Sequence, residues 1–537
     1  MPDDRFHIYD TTLRDGAQQQ GLCLTVGDKL AIARHLDTLG VGFIEGGWPG
    51  AIPKDTEFFR RARHELELSH AQLAAFGATR RPGIRVTDDP LVIALRDSQA
   101  PVVTLVAKSH GRHVRLALRT TLEENLAMIA DTIEFLRAGG QRVFLDAEHF
   151  FDGYLSDPHY AVEVVRTAVE AGADLVALCD TNGGMLPDQI ADIVTAVAGT
   201  GARLGVHCHD DSDCGVASTL AAVDAGVTHV QGTANGYGER AGNANLFSIV
   251  AGLQLKKGVE VVSGDRLGEM SRIAREISRI VNVPPDSHQP YVGVSAFAHK
   301  AGLHASAVKV DPMLYQHIDP LLVGNDMKVI ISDMAGRASV ELKGRELGID
   351  VTSDRAVVGR VAAQVKDMEA RGYTFESADA SFELLLRTAL GEQHEYFTVT
   401  SWRVTVERGA DGVVTSQATV KVTVQGSTVV AAGEGDSPVL ALENALRAAL
   451  DRTYPQLASL TRTEYLARVL EAPSGASTIT RVVLECGDAD CVWNTVGVDK
   501  DIIAASWEAL EQAVTYCLLR SGRGPAAEPM AYLVSAG

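Results

Sequence analysis

The sequence predicts an α/β protein: a (β/α)₈ TIM barrel, then helical linker subdomains, then a C-terminal α+β domain. Three observations predict this architecture. Eight short apolar runs within residues 1–240 alternate with helical patterns, and their starts lie 26 to 40 residues apart. Eight strand–helix units in about 250 residues match the size of a closed barrel. Two β-rich stretches with the same internal order follow residue 396.

Each predicted barrel strand is an apolar run that leads to a polar side chain. In order, the eight runs are Phe6–Asp10, Val41–Glu45, Leu73–Thr79, Val102–Lys108, Arg142–Glu148, Asp174–Asp180, Arg203–His209 and His229–Asn235. Between them, apolar residues three and four positions apart predict helices such as Val26–Leu39 and Leu122–Leu136. An open doubly wound sheet is the alternative, but no GxGxxG motif follows the first strand to favour it.

Beyond the barrel, the pattern becomes helical and then β-rich. The first linker helix, Asp265–Val281, ends before Pro284 and Pro285. Three strands and a helix are then predicted at Trp402–Glu407, Ser416–Val424, Val429–Gly433 and Pro438–Leu450. The same order recurs at Tyr465–Leu470, Ser477–Glu485, Cys491–Val498 and Asp501–Leu519. This recurrence indicates a duplicated β₃α unit, and we expect three domains at residues 1–265, 266–392 and 393–537.

Charge and composition exclude several classes of function. The chain has 49 Lys and Arg against 69 Asp and Glu, a net charge of −20, which argues against a nucleic-acid surface. No apolar run reaches about 18 residues, so we expect no membrane span. The acidic start, Met1–Asp4, is not followed by the apolar core of a secretory peptide. Seven sparse cysteines are typical of reduced thiols, and we predict a cytoplasmic protein.

Polar residues at the ends of the predicted strands indicate an active site at the C-terminal face of the barrel, where this fold places catalytic groups. Strand ends can also be polar merely because they enter loops, which explains one or two of them but not the whole set. In chain order the ends carry Arg14 and Asp15, Glu45, Thr79, Lys108, Glu148, Asp180 and Thr181, His207 and His209, and Asn235.

The His207-Cys-His209 pattern predicts a metal site. Side chains two apart on a strand point to the same side, so both imidazoles can reach one ion. Asp15 can supply a carboxylate, and Asn243 in the glycine-rich loop is a further oxygen ligand. This donor set suits Mn²⁺, Mg²⁺ or Zn²⁺ and leaves positions open for substrate and water. Without a metal, the histidines would be hydrogen-bonded loop residues and the glycine-rich segment a flexible surface loop.

Several motifs resemble a known enzyme family. The segments Tyr9–Gln18 (YDTTLRDGAQ) and Gly238–Ala244 (GERAGNA), together with His207-Cys-His209, are similar to the 2-isopropylmalate, homocitrate and citramalate synthases of the DRE-TIM metallolyase superfamily. The segments Ile44–Gly50 and Phe144–Tyr154 are most similar to the citramalate synthase branch. The resemblance extends over essentially the whole chain. It identifies the C-terminal part as a LeuA-type allosteric domain.

The resemblance implies a Claisen condensation of acetyl-CoA with a 2-oxo acid. In the citramalate branch the acid is pyruvate, the product is (R)-citramalate and the pathway leads to isoleucine. In the isopropylmalate branch the acid is 2-oxoisovalerate and the pathway leads to leucine. A homodimer is also implied, with isoleucine or leucine as effector; a purely dimerising domain is the alternative. A retro-aldol lyase on the same barrel and a non-catalytic amino-acid sensor are the other functions considered.

The resemblance also assigns roles to individual residues. Metal ligation falls to Asp15, His207, His209 and Asn243. Arg14 would stand beside the ketone oxygen, Glu148 matches the catalytic glutamate, and Thr181 would bind the substrate carboxylate. His304 and Tyr315 match linker residues that reach the active site from the partner subunit, although His304 follows Gly-Leu where the family has Gly-Ile. Glu148, His304 and Tyr315 are the proton-transfer candidates, and the sequence does not say which takes the first proton.

Overall fold

The computed structural model describes residues 5–351, 354–392, 395–470, 478–522 and 524. The chain divides into two compact units, which are described separately. The first contains Met1–Phe297 and Ile318–Met327, and the second contains Ala298–His317 and Lys328–Gly537. The predicted acidic start at Met1–Asp4 lies outside the described residues.

The first unit is a closed barrel of eight parallel strands in sequence order. The strands are β1 (His7–Asp10), β2 (Phe43–Gly47), β3 (Gln72–Ala78), β4 (Val102–Lys108), β5 (Arg142–Glu148), β6 (Leu175–Asp180), β7 (Leu204–Cys208) and β8 (His229–Gly232). Pairing of β8 with β1 closes the barrel, with His229 opposite His7. The predicted TIM barrel is therefore confirmed, and the open sheet is wrong.

Helices surround this barrel, short helical turns aside. They are α1 (Val26–Leu39), α2 (Pro53–Glu65), α3 (Pro90–Asp97), α4 (Leu122–Ala138), α5 (Phe150–Ser156), α6 (Pro158–Glu170), α7 (Pro187–Val197), α8 (Gly215–Asp224), α9 (Leu246–Ala251) and α10 (Met270–Val281). Helix α1 begins where predicted because Thr25 and Asp28 form a reciprocal capping box. Among the described residues, no helix is long and apolar enough to cross a membrane.

Alternation along the strands separates two buried layers. Tyr9, Phe43 and Phe144 belong to one cluster, and the ring centroids of Phe43 and Phe144 lie 5.3 Å apart. Their neighbours Ile8 and Ile44 belong to a larger cluster that includes the apolar faces of the surrounding helices. The barrel interior is therefore a packed core rather than a channel, which leaves the loops at the strand ends to form a site.

The second unit carries the linker elements and the duplicated module. The linker contains β9 (Ala298–His299), β10 (Lys328–Val329), α11 (Gly302–Val308), α12 (Arg337–Glu346), α13 (Arg355–Ala370) and α14 (Asp379–Ala389). The module contains two three-stranded antiparallel sheets. Its elements are β11 (Thr398–Arg408), β12 (Val414–Val424), β13 (Ser427–Gly435), α15 (Pro438–Leu450), β14 (Thr461–Leu470), β15 (Ile479–Gly487), β16 (Val492–Asp499) and α16 (Ile502–Ser521).

The predicted β₃α duplication is confirmed by this element order. Helices α15 and α16 bury their apolar residues, among them Leu442, Leu446 and Leu510, in one cluster with the sheets. Strands β11 to β14 run longer than predicted because most residues at their added ends are polar, whereas β15 and β16 keep the predicted length and are shifted by one or two residues. Ser477, where a strand was expected to begin, lies outside the described residues. All seven cysteines are free, as predicted.

Candidate active site

The loop after β1 and the end of β7 bring together the three strongest predicted metal ligands. Nε2 of His207 lies 3.2 Å from Asp15 Oδ2, and Nε2 of His209 lies 3.5 Å from the same oxygen. All three side chains are buried, and one ligand atom from each lies within 4.8 Å of the others. Strand β7 ends at Cys208, so His209 stands just beyond it rather than within it. The three side chains can contact one ion.

The charge of this cluster is set by its neighbours. Burial opposes ionisation of Asp15, but the charge of Arg14 and the hydrogen bonds from the two histidines outweigh it. The pKa of Asp15 therefore lies well below its ordinary value. An ionised carboxylate at neutral pH is the form that ligates a cation.

Gln231 on β8 fixes the ring of His207. Its amide Nε2 donates to Asp146 Oδ1 at 2.9 Å, so its Oε1 faces His207 Nδ1 at 2.8 Å. The Nδ1 atom must therefore carry a proton and donate it, and Nε2, which here shares a hydrogen bond with Asp15, is the nitrogen left to bind an ion. Metal-ligating histidines are generally oriented in this way by an acceptor on the other ring nitrogen. Gln231 thus selects Nε2 as the nitrogen that would ligate a metal once its proton has left.

Asn243 offers a further oxygen ligand at this cluster. The backbone of Asn243 forms an isolated β-bridge with that of His209. Its side-chain Nδ2 donates a hydrogen bond to Tyr237 O at 3.1 Å, whereas its Oδ1 is buried without a partner among the described residues. A buried oxygen left in this state costs about 1–3 kcal/mol unless a bound group satisfies it. Gly238 makes the geometry possible, because its φ is 156° and a Cβ there would lie 2.3 Å from Asn243 Nδ2. The donor set of Asp15, His207, His209 and Asn243 therefore fits a divalent ion.

Arg14 is oriented by residues on β2 and β3 and by its neighbour Asp15. Its Nε donates to Glu45 Oε1 at 2.5 Å, and its Nη1 lies 3.3 Å from Asp15 Oδ1. The guanidinium carbon stands 3.8 Å from the centroid of the Phe76 ring. Glu45 is fully buried and also accepts a hydrogen bond from Tyr9 at 2.8 Å. The guanidinium is therefore held beside Asp15 before any substrate arrives.

Thr181 and Glu148 lie at the ends of β6 and β5. The Thr181 Oγ1 accepts a hydrogen bond from the backbone N–H of His149 at 2.9 Å, so the Thr181 hydroxyl proton is available to donate to another group. Both residues line a cavity of about 460 Å³ that also contains Arg14, His207 and His209. The barrel therefore brings Arg14, Asp15, Glu148, Thr181, His207 and His209 to one cavity, and Asn243 is paired with His209.

His304 and Tyr315 lie in the second unit. His304 is on α11, and its ring stacks on that of Tyr315 with centroids 4.2 Å apart. The structure thus places His304 and Tyr315 in contact. Their approach to an active site remains a prediction.

Three residues of the site were not identified as functional from sequence. Gln231 and Asp146 lie within strands, where nothing in the pattern marks a polar residue as a ligand's partner. Arg240 belongs to the glycine-rich motif, and its Nη2 contacts His209 Nδ1 at 2.9 Å. Because arginine only donates, His209 Nδ1 accepts here, and ligation through Nε2 would move the proton to Nδ1 and end this contact.

Family models match along the chain in the order of the architecture. The HMGL-like model covers residues 5–277. The homocitrate synthase post-HMGL domain-like model covers residues 291–372. The LeuA allosteric (dimerisation) domain covers residues 376–518.

Similar proteins of comparable length carry related names. An (R)-citramalate synthase of Streptomyces coelicolor is 63% identical, over 98% of this chain and 98% of that protein. One of Synechocystis is 46% identical, over 95% and 96%. A probable 2-isopropylmalate synthase of Methanopyrus kandleri is 34% identical, over 96% and 98%. The resemblance inferred from the motifs is confirmed, and the chain belongs to the citramalate synthase family of DRE-TIM acyltransferases, in which an HMGL-like barrel precedes a LeuA allosteric domain.

Proposed function

We propose that this enzyme condenses acetyl-CoA with pyruvate and hydrolyses the thioester, releasing (R)-citramalate and CoA. The observation that carries the proposal is the convergence of Arg14, Asp15, His207 and His209 on one cavity. The names of relatives at 45–63% identity support pyruvate as the 2-oxo acid.

Asp15, His207, His209 and Asn243 would hold a divalent ion, Mn²⁺, Mg²⁺ or Zn²⁺. When bound, such an ion supplies a Lewis acid that polarises the keto group. Arg14, already aimed by Glu45, would donate hydrogen bonds to the keto oxygen as negative charge develops there. Donors oriented in advance toward developing charge are usually the largest contribution to catalysis.

Thr181 and the proton-transfer residues complete the proposed mechanism. The Thr181 hydroxyl would donate to the carboxylate of pyruvate, which fixes the orientation of the keto group. Removal of a methyl proton from acetyl-CoA and activation of a water for thioester cleavage would be shared among Glu148, His304 and Tyr315. The stacking of His304 on Tyr315 supports a joint role for this pair, supplied by the partner subunit of a homodimer.

Regulation is the second part of the proposal. The LeuA match and the duplicated β₃α unit support an amino-acid effector at the C-terminal module, and the isoleucine pathway makes isoleucine the effector. We place the catalytic domain at residues 1–265, the linker at 266–392 and the regulatory domain at 393–537.

The test is thiol release from acetyl-CoA in the presence of Mn²⁺, with pyruvate and 2-oxoisovalerate compared as substrates. One methylene in a pocket changes kcat/KM by about 10–200-fold. Because 2-oxoisovalerate has two more carbons than pyruvate, we expect kcat/KM to favour pyruvate by about 100-fold or more. A preference for 2-oxoisovalerate would instead make this a leucine-pathway enzyme. Release with neither acid would favour a lyase of the same superfamily.

A further inference from the structure

Lys108 at the end of β4 is bonded to Glu148 at the end of β5. The two residues are paired in register across the parallel strands. Lys108 Nζ donates to Glu148 Oε2, and both side chains line the cavity that holds the metal ligands and Thr181. An ammonium therefore stands against one oxygen of the proposed catalytic carboxylate.

Buried hydrogen bonds fix the backbones of both strand ends. Fully buried Ser109 donates twice to the carbonyl of Glu148, from its N at 3.2 Å and from its Oγ at 2.6 Å. Fully buried Asn125 donates to Lys108 O at 2.9 Å and to Tyr160 OH at 2.8 Å. Exposed ion pairs hold two flexible side chains together for little net gain. Here, both residues are on anchored backbone and about three-quarters of each side chain is buried.

Lys108 is the cation that contacts Glu148, because the nearby histidines are neutral and the other charged groups are paired elsewhere. Burial lowers the pKa of His149 to about 4 and also lowers the pKa of His113, so both rings are neutral at pH 7. Asp152 accepts a hydrogen bond from Asn182. The remaining charged groups around the cavity have partners of their own, namely Arg14, Asp15, Arg80, Arg81, Asp146, Glu239 and Arg240.

We propose that Lys108 is a positioning residue that holds Oε2 of Glu148 and so aims the carboxylate for proton acceptance. With Oε2 engaged by the ammonium, Glu148 Oε1 has no hydrogen-bond partner in the described part of the chain. Oε1 takes a proton from the acetyl-CoA methyl group or from the hydrolytic water. The C–H or O–H bond breaks, its electron pair stays on carbon or oxygen, and a new O–H bond forms on Oε1. This inference rests on the proposed function.

The test compares K108M with K108R in the full-length enzyme. A neighbouring cation favours the ionised form of a carboxyl group by about 1–3 pH units. In K108M we therefore expect the acid limb of the kcat/KM profile to move up by at least about one pH unit. We also expect kcat to fall by up to about 100-fold, the lower end of what general acid–base catalysis contributes. K108R keeps the charge and should restore the acid limb. K257M, which removes a lysine paired with Asp224 outside the cavity, is the matched control and should leave the profile unchanged.

A second measurement does not depend on turnover. Protonation of Glu148 is followed by ¹³C NMR of glutamate-labelled enzyme, with its signal assigned through E148Q. We expect Glu148 to protonate at a higher pH in K108M than in the wild type. Identical titrations in folded K108M and wild type would overturn the inference. A shifted titration without citramalate formation by the wild type would refute the proposed function and leave the pairing intact.

Discussion

Replacing Gln231 by leucine should weaken metal binding without removing a ligand. The variant deletes the acceptor 2.8 Å from His207 Nδ1 and the donor 2.9 Å from Asp146 Oδ1. His207 then loses the contact that selects its tautomer, and its buried N–H is left without a partner. An unsatisfied buried group costs about 1–3 kcal/mol. Partners of metal-ligating histidines are worth about 10- to 100-fold in metal affinity, or about 1.4–2.8 kcal/mol. The cost of the unsatisfied N–H group and the expected loss of metal-binding free energy are therefore of similar size.

The assay is calorimetric titration of metal-free protein with Mn²⁺, so the outcome does not depend on catalysis. Gln141→Leu is the matched control, since Gln141 donates to Leu95 O and Ala100 O next to the start of β5, at the opposite end of that strand from the site. We expect Q141L to bind Mn²⁺ like the wild type and Q231L to bind it about 10- to 100-fold more weakly. If folded Q231L bound Mn²⁺ within twofold of the wild type, the tautomer argument would be refuted.

Three further outcomes are expected. H209A should abolish turnover and lower the Mn²⁺ content measured by elemental analysis; normal metal content with full activity would remove His209 from the site. Truncation after Glu392 should remove amino-acid inhibition while leaving thiol release, and inhibition that persists in an active truncated enzyme would place the effector elsewhere. Burial lowers the pKa of His149 to about 4, so the unfolded chain binds a proton there more readily than the folded chain between about pH 4 and 6.5. Stability should therefore fall as pH drops through this window, and H149N should flatten that decline in Tm; an unchanged slope would contradict the assignment.

The architecture could be predicted from the sequence because each strand and helix has its own spacing of apolar residues. A strand buried on both faces needs an uninterrupted apolar run, and a surrounding helix needs apolar residues three or four apart. The eight strands and the repeated β₃α unit were predicted on this basis. Strand ends were less accurate: β8 ends at Gly232 rather than Asn235, where the chain turns with φ of 55°. A turn of this kind leaves no trace in the apolar alternation.

The candidate ligands were also readable, because His207 and His209 are separated by two positions and flank a strand end. The residues that surround these ligands could not be identified from the sequence. The contact between Lys108 and Glu148 joins residues 40 positions apart, and that between Asp146 and Gln231 joins residues 85 apart. Such pairs meet only because parallel strands align in a particular register and the barrel closes. Sequence alone therefore determined which chemical groups the site contains. The tertiary structure decided which nitrogen of His207 faces Asp15, which oxygen of Glu148 is bonded to Lys108 and which partner holds each in place, since these follow from distances that only the closed barrel sets.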